Sequence, residues 1–202
     1  MGEIKSSARS KSSLWPLSQA GKTWLMIAAI VTCAVVIDQV IKLYIVHHME
    51  LNTSHEITSW FQLCYILNPG MAFGIQWLPK IVLTLFRIVA VGFLLWYSHV
   101  LIQRKAHKGY IATIALIIAG AMGNIVDCVF YGKLLQGGDW FYGKVVDMFY
   151  FPLWTWPDWM PWLGGHIFFE PVFNFADSCI TCGVAIIILF FWKELNGEKK
   201  EQ

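Results

Sequence analysis

Long apolar stretches separated by shorter polar segments make up most of this chain. Four of them are long and apolar enough to cross a bilayer as helices: residues 24–46, 81–102, 110–131 and 173–192. A membrane-spanning helix needs about 20 such residues. The pattern therefore predicts an all-α membrane protein with four transmembrane helices.

The composition supports a lipid environment for much of the chain. Of its 202 residues, 57% are apolar and only 14% are charged. Soluble domains carry roughly 45–50% apolar and about 25% charged residues. A disordered tail, a collagen, a disulfide-stapled secreted domain and a nucleic-acid-binding protein are therefore excluded. The net charge of +2 indicates no acidic partner.

The distribution of Lys and Arg predicts the orientation in the membrane. The two tails and the loop between the second and third stretches contain Lys5, Arg9, Lys11, Lys22, Arg104, Lys105, Lys108, Lys193, Lys199 and Lys200. The other two loops contain only Lys80, Lys133 and Lys144. Because cytoplasmic loops carry the excess of basic residues, both termini are predicted to be cytoplasmic.

The same pattern divides the chain into three parts. We expect a basic, Ser-rich tail at residues 1–22, one membrane domain at 23–192 and a second cytoplasmic tail at 193–202. A cleaved signal peptide is disfavoured, because the first apolar stretch reaches Asp38 without a small-residue cleavage site.

The two extracytoplasmic loops contain more than simple connections. Residues 56–66 are rich in β-branched and aromatic side chains and predict short strands, and Asn68-Pro69-Gly70 then predicts a turn. The second loop carries four tryptophans between residues 154 and 162. Indole rings prefer the headgroup region, so we expect this Trp-rich stretch to lie on the outer leaflet.

Five polar residues within the apolar stretches fall at a common depth. Counted from the cytoplasmic ends at 1.5 Å per residue, all lie about 21–25 Å along their helices; they are Asp38, Arg87, Asn124, Asp127 and Asp177. Ionisable groups in hydrocarbon cost at least a few kcal/mol, so their presence suggests a function. The sequence predicts one polar site near the outer surface.

Structural roles compete with that interpretation. Asp38 and Lys42 are spaced to form an ion pair within one helix, with Lys42 reaching outward, and Asn124 and Asp127 are spaced to link helices. Arg87 is a possible counter-charge for a carboxylate.

Five motifs in order resemble the bacterial lipoprotein signal peptidases, also called signal peptidase II. They are residues 38–42 (DQVIK), 68–74 (NPGMAFG), 120–127 (GAMGNIVD), 145–148 (VVDM) and 173–177 (FNFAD). The resemblance implies an aspartic endopeptidase of the bacterial cytoplasmic membrane. It removes the signal peptide from diacylglyceryl-modified prolipoproteins, cutting just before the lipidated cysteine. By motif matching, Asp147 and Asp177 correspond to the catalytic pair.

The chemistry of two carboxylates fits this resemblance. One ionised acid activates water and one protonated acid polarises the scissile carbonyl, and two close carboxyls share a proton readily. Which aspartate plays which part is left open. Asn68, Asn124 and Asn174 are expected to bind the substrate backbone or orient the acids, and Gly70 to allow close approach of the chain.

The resemblance has two departures. The family usually has Arg after the Asp of the third-span motif, where this chain has Cys128, and we expect Arg87 to compensate. The second outer loop is longer than is common, with its Trp-rich insertion at residues 151–171.

We expect a monomer that uses no metal or cofactor and whose partners are prolipoproteins and membrane lipid. Two other functions are weighed against the peptidase. Cys179 and Cys182 form a C-x-x-C pair, which suggests a membrane thiol oxidoreductase. Intramembrane carboxylates also suggest a small proton-coupled transporter.

Overall fold

The computed structural model describes residues 18–70 and 79–196 of the chain. Most of the predicted N-terminal tail, residues 71–74 of the second motif and the last six residues, with Lys199 and Lys200, lie outside the described residues. Within the described part the protein is a helical bundle with a small antiparallel sheet at one end.

The helices coincide with the four apolar stretches. They are α1 (Gln19–His48), α2 (Lys80–Gln103), α3 (Lys108–Val126), α4 (Gly132–Leu135), α5 (Phe175–Phe190) and α6 (Trp192–Leu195). A π-helical turn, Asp127–Tyr131, joins α3 to α4. Among the residues that the structure describes, three continuous segments are long and apolar enough to span a membrane: Gln19–His48, Lys80–Gln103 and Lys108–Leu135. The helix of the fourth apolar stretch, α5, is also apolar, but its 16 residues make only about 24 Å of helix.

Helix α3 forms the centre of the bundle and contacts α1, α2 and α5. Its side chains at Ala115 and Ile118 are fully buried. On α2, by contrast, Phe86 and Val89 are each 70% exposed. Large apolar side chains facing outward are what a lipid solvent requires, and they are unusual on a soluble protein.

Two glycines of α3 allow its neighbours to pack closely. A Cβ atom at Gly123 would lie 2.6 Å from Asp38 Oδ2 on α1, and one at Gly120 would collide with the Ala176 carbonyl of α5. Small residues at helix interfaces let backbones approach in this way in membranes. The contacts bring the polar residues of α1, α3 and α5 within reach of one another.

One end of the bundle gathers the predicted cytoplasmic segments. The Phe191 ring, just after α5, packs against Tyr110 at a centroid distance of 5.7 Å and against His107 at 5.5 Å. A cavity of about 390 Å³ lies between Gln19 at the start of α1 and Lys105 in the α2–α3 turn. The start of α1 and the end of α5 therefore lie beside that basic turn.

The sheet lies at the opposite end. It contains β1 (Ser54–Thr58), β2 (Phe61–Asn68) and β3 (Val145–Tyr150), in the order β1-β2-β3 and antiparallel throughout. Tyr65, Val146 and Met148 pack against Ile45 near the end of α1, which anchors the sheet to the bundle. The strands predicted at residues 56–66 are present as β1 and β2, whereas β3 was not predicted.

The Trp-rich insertion folds as a short hairpin, residues 154–168. Its strands are β4 (Trp154–Thr155) and β5 (Ile167–Phe168). The Trp154 and Phe168 rings stack with centroids 3.9 Å apart and an interplanar angle of 3°. Stacking of this kind adds to the stability of a two-stranded pair. At its tip Trp159 and Trp162 are 77% and 96% exposed.

Candidate active site

Asp147 and Asp177, called here the aspartate pair, come from β3 and from the first turn of α5. A backbone bridge between Phe149 and Phe173 joins the two elements, with Phe149 N–H donating to Phe173 O at 2.7 Å. Asn174 then begins α5 as its N-cap. Its side chain accepts from Asp177 N–H at 2.9 Å, and the Asp177 carboxylate accepts from Asn174 N–H in return. This capping box holds Asp177 at the helix start beside β3.

Asparagine amides connect the two carboxyl groups. Asn174 Nδ2 donates to Asp147 Oδ1 at 2.7 Å and to Asn124 Oδ1 at 3.1 Å. Asn124 Nδ2 donates to Asp177 Oδ1 at 2.7 Å. Each carboxyl thus receives an amide donor, and both asparagines are buried. The two predicted supporting residues of α3 and α5 are therefore brought into direct contact with the aspartate pair.

Asn68 and Gly70 complete the site on the side of the sheet. Asn68 Nδ2 donates to Asp147 Oδ2 at 2.9 Å, and Asn68 Oδ1 accepts from Gly70 N–H at 2.8 Å. Gly70 has φ of +89°, a conformation that residues with a Cβ rarely adopt. The turn predicted by Asn-Pro-Gly thus orients the Asn68 amide toward Asp147.

The two aspartates differ in their surroundings. Asp147 is only 2% exposed, whereas Asp177 is half-buried. Burial, with the neighbouring charge of Asp177 as a further cause, raises the pKa of Asp147 to about 7, although the amides of Asn68 and Asn174 oppose the shift. A buried acid that keeps its proton near neutral pH beside a more accessible carboxylate is suited to acid–base hydrolysis.

A second carboxylate group, the lysine cluster, lies next to the aspartate pair and contains Asp38, Lys42 and Asp127. Lys42 Nζ lies 2.9 Å from Asp38 Oδ2 and 2.8 Å from Asp127 Oδ2. All three side chains are buried. The predicted pairing within α1 is present, but Lys42 does not reach outward to the membrane surface. It turns into the protein, because a second carboxylate, that of Asp127 at the C-cap of α3, also binds its ammonium group.

Backbone donors fix the two acids of the lysine cluster. Ala176 N–H donates to Asp38 Oδ1 at 3.0 Å, and Val146 N–H donates to Asp127 Oδ2 at 3.1 Å. Both donors directly adjoin a member of the aspartate pair in sequence. The cluster therefore positions β3 and the start of α5, and its predicted role as a link between helices extends to the sheet.

Gln39 and Tyr131 are two members of this network that the sequence reasoning missed. Gln39 Nε2 donates to Asp38 Oδ2, to Asp127 Oδ1 and to the Gly123 carbonyl at 3.0–3.1 Å. Tyr131 OH donates to Gln39 Oε1 at 2.8 Å. An amide in the middle of a predicted membrane span was the available signal, because such a group needs partners inside the protein.

Asn124 connects the lysine cluster to the aspartate pair by hydrogen bonds. Lys42 Nζ donates to Asn124 Oδ1 at 3.2 Å, and Asn124 donates in turn to Asp177. The lysine charge therefore acts on the aspartate pair through an amide and not by a direct ion pair. Four of the five polar residues predicted at one depth are thus members of a single hydrogen-bond network.

Arg87 is the fifth, and it lies outside this network. Its Nη1 donates to Cys128 Sγ at 2.9 Å. Among residues 18–70 and 79–196, Arg87 forms no ion pair with either member of the aspartate pair. Arg87 thus reaches the residue that replaces the family's usual Arg, whereas Lys42 is linked to the aspartate pair through Asn124.

Within the described part of the chain, no group of three or more His, Cys, Asp and Glu side chains is arranged to hold a metal ion. Cys179 is buried against Ala34 and Ala119, and Cys182 is exposed on another face of the same helix. Both thiols are free. The C-x-x-C pair therefore does not share one environment.

Comparison with known proteins places this chain in a family. The profile of signal peptidase (SPase) II matches residues 30–193. The chain belongs to the signal peptidase II family. A lipoprotein signal peptidase of Porphyromonas gingivalis is 42% identical over 198 residues, which cover 86% of this chain and 88% of that protein. One from Amoebophilus asiaticus is 44% identical over 172 residues, covering 77% and 73%.

Solved structures agree with this membership. A bacterial membrane enzyme determined by the in meso method at 2.3 Å resolution superposes with a TM-score of 0.61 and is 25% identical. The alignment covers 90% of this chain and 94% of that enzyme. Members of this family are aspartic peptidases. The family match confirms the resemblance drawn from the five motifs.

Proposed function

We propose that this signal peptidase II cleaves diacylglyceryl-modified prolipoproteins just before the lipidated cysteine, with Asp147 and Asp177 as its catalytic residues. Cleavage of lipoprotein signal peptides is the function of the family. One observation carries the assignment of residues: a buried and a half-buried aspartate meet through the Asn124 and Asn174 amides at the sheet end of the bundle.

The difference in burial supports a division of roles between the two aspartates. Asp177, the more accessible carboxylate, takes a proton from water as the water attacks the scissile carbonyl. Asp147, whose burial raises its pKa to about 7, donates a hydrogen bond to the carbonyl oxygen. The proton taken by Asp177 then passes to the leaving amine when the tetrahedral intermediate collapses. No metal or cofactor enters these steps.

Two further residues serve the substrate. The main chain at Gly70, without a Cβ, lets an extended substrate approach the Asn68–Asp147 hydrogen bond closely. This turn begins the motif at residues 68–74, and the remaining part of that motif lies outside the described residues.

The membrane arrangement follows from charge and length. Four spans with cytoplasmic termini put the aspartate pair at the extracytoplasmic face of the bacterial inner membrane, because the basic α2–α3 turn stays inside. The short helix α5 supports this arrangement. Asp177 in its first turn lies at the edge of the hydrocarbon core, where water is available for hydrolysis. We expect the enzyme to act as a monomer.

Lipid on the substrate cysteine positions the scissile bond. Acyl chains that remain in the bilayer hold the modified cysteine at the depth of the aspartate pair, so that binding loses less freedom on ordering. An unmodified precursor lacks this anchor, and its signal helix alone does not fix the position of the bond along the membrane normal.

The test compares two precursors that differ only in the diacylglyceryl group. Purified enzyme in one detergent or bilayer is incubated with each, and release of the signal peptide is measured. We expect release from the lipidated precursor alone and from neither with the Asp147→Asn variant. Comparable cleavage of both precursors by the wild type would refute the role of the lipid, and cleavage by the variant would refute the assignment of Asp147.

A further inference from the structure

A groove leaves the active site beside strand β2. Two neighbouring cavities are lined by four residues of this strand, Gln62, Cys64, Ile66 and Asn68. Asn68 lines a cavity of about 940 Å³, and the other three line a cavity of about 350 Å³. The two cavities have Glu170 and Val172 in common. They therefore form one continuous groove that begins beside Asp147.

The hairpin forms the other wall of this groove. Trp156, Ile167 and Phe168 line the larger cavity together with the segment that follows β5. The ring stack of Trp154 on Phe168 fixes the hairpin strands before any ligand binds. The near part of the groove is thus aromatic. Its far part is more polar, since Asn52, Thr53 and Ser54 line the smaller cavity beside Cys64 and Ile66.

Given the proposed function, we infer that this groove binds the mature part of the lipoprotein precursor, in extended form, immediately after the lipidated cysteine. The signal peptide and the acyl chains stay with the membrane spans. The polypeptide on the other side of the scissile bond must leave the bundle at the end where the sheet lies, and the groove starts at Asn68, which touches Asp147. Its course along β2 from Asn68 to Gln62 has room for about six extended residues.

The lining predicts a sequence preference. The aromatic wall next to the site favours a bulky apolar side chain close to the cut, and the polar wall favours hydrophilic residues further on. Glu170, where the two cavities meet, has its Oε1 3.3 Å from His166 Nδ1 and offers a carboxylate to a basic residue. The long insertion thus becomes a specificity element of the enzyme.

Two lipidated precursors, identical through the modified cysteine, test this inference. One continues for eight residues and the other ends one residue after the cysteine. We expect the wild type to cleave the long precursor with a kcat/KM about tenfold higher, equivalent to about 1.4 kcal/mol. Trp156→Ala should bring the ratio close to one. Trp159→Ala removes an equally large but exposed ring that does not line the groove, and it should keep the wild-type ratio.

A second variant protects the test against misfolding. Val172→Trp fills the junction of the two cavities and should lower the ratio without removing a packed ring. A wild-type ratio near one, or equal ratios for Trp156→Ala and Trp159→Ala, overturns the inference. An effect of Trp156→Ala that follows acyl-chain length and not the polypeptide also overturns it, since the groove would then hold lipid.

Failure of the proposed function is distinguishable from failure of this inference. If neither precursor is cleaved, the peptidase proposal fails, and the groove is tested by binding alone. A photo-crosslinking residue placed three positions after the lipidated cysteine should then label peptides from residues 62–68 or 154–172. Labelling of α2 or α5 alone overturns the groove assignment.

Discussion

Two groups of carboxylates lie side by side in this enzyme, and they differ in the groups that bind them. In the lysine cluster, Asp38 and Asp127 share one ammonium group at 2.8–2.9 Å. In the aspartate pair, the carboxyls of Asp147 and Asp177 receive hydrogen bonds from side-chain amides and from a backbone N–H. An amide orients a carboxylate without cancelling its charge.

The difference explains why one group holds the fold and the other suits catalysis. A lysine between two acids holds both carboxylates and so connects α1 to the C-terminal end of α3. Two acids linked only by amides cannot both ionise cheaply, so the more buried one keeps its proton. In agreement with this, burial and the neighbouring charge of Asp177 raise the pKa of Asp147 to about 7. The predictions that follow exchange or remove the features that separate the two groups.

The largest effect is expected from removing either acid of the aspartate pair. Asp147→Asn and Asp177→Asn should each lower kcat/KM for a lipidated precursor by at least about 1,000-fold, because an amide serves neither as general base nor as general acid. Both variants should purify from membranes in normal yield. Cleavage near the wild-type rate by either one would show that the pair is wrongly assigned.

Removing the cation of the lysine cluster should damage the fold first. Lys42→Met leaves two buried carboxylates without their counter-charge, and loss of one partner of a buried pair costs about 3–5 kcal/mol. Thermal unfolding in detergent should therefore occur at a lower temperature, with a parallel loss of activity. Lys133→Met, an exposed lysine on α4, is the matched control. Equal thermal stability of the two variants would contradict the comparison.

The pH dependence sharpens the account of Asp147. If its protonated form polarises the carbonyl, kcat/KM should fall as the pH rises through about 7, where this residue loses its proton. The Asn68 amide stabilises the ionised form, so Asn68→Ala should raise the pKa of Asp147 and move the falling limb to higher pH.

Asn196→Ala, a replacement beyond α5 at the far end of the bundle, serves as the control for this profile. It should leave the falling limb where it is in the wild type. A limb that stays in place or moves to lower pH with Asn68→Ala would assign the titration to another group.

The smallest effect is expected from the thiols. Cys179→Ala combined with Cys182→Ala should change kcat/KM less than about twofold, because surface or small-residue replacements away from a site cost little. One sulfur is buried between helices and the other faces outward. Loss of activity with unchanged expression would instead support the thiol oxidoreductase.

Much of the site could be anticipated from single positions. An acid within an apolar segment costs enough free energy to be informative by itself, and this singled out Asp38, Asp127 and Asp177. The Asn-Pro-Gly sequence likewise predicted its turn from local composition. Partners could not be anticipated in the same way. Arg87 was expected to serve the carboxylates, yet it contacts Cys128, and Gln39 and Tyr131 drew no attention.

The strand that carries Asp147 shows why local patterns were insufficient. Residues 145–150 are apolar except for the acid and lack the alternation typical of a half-buried strand, because β3 is covered on both faces. Its strand conformation depends on pairing with β2, about 80 residues earlier in the chain, as Asn68 pairs with Val145. The hairpin likewise owes its place beside Asn68 to the path of the chain after β3.

The sequence by itself indicated the lipid environment of this protein, its helices and the polar groups predicted at one depth. Each of these depends on composition and spacing within a segment. Only the tertiary structure decided which groups meet. Ala176 donates to Asp38 across 138 residues of sequence, and Lys42 turns inward because α3 brings a second carboxylate to it. Charge and hydrogen bonding act over a few ångströms, so the separation of a structural pair of acids from the proposed catalytic pair is a property of the packed bundle.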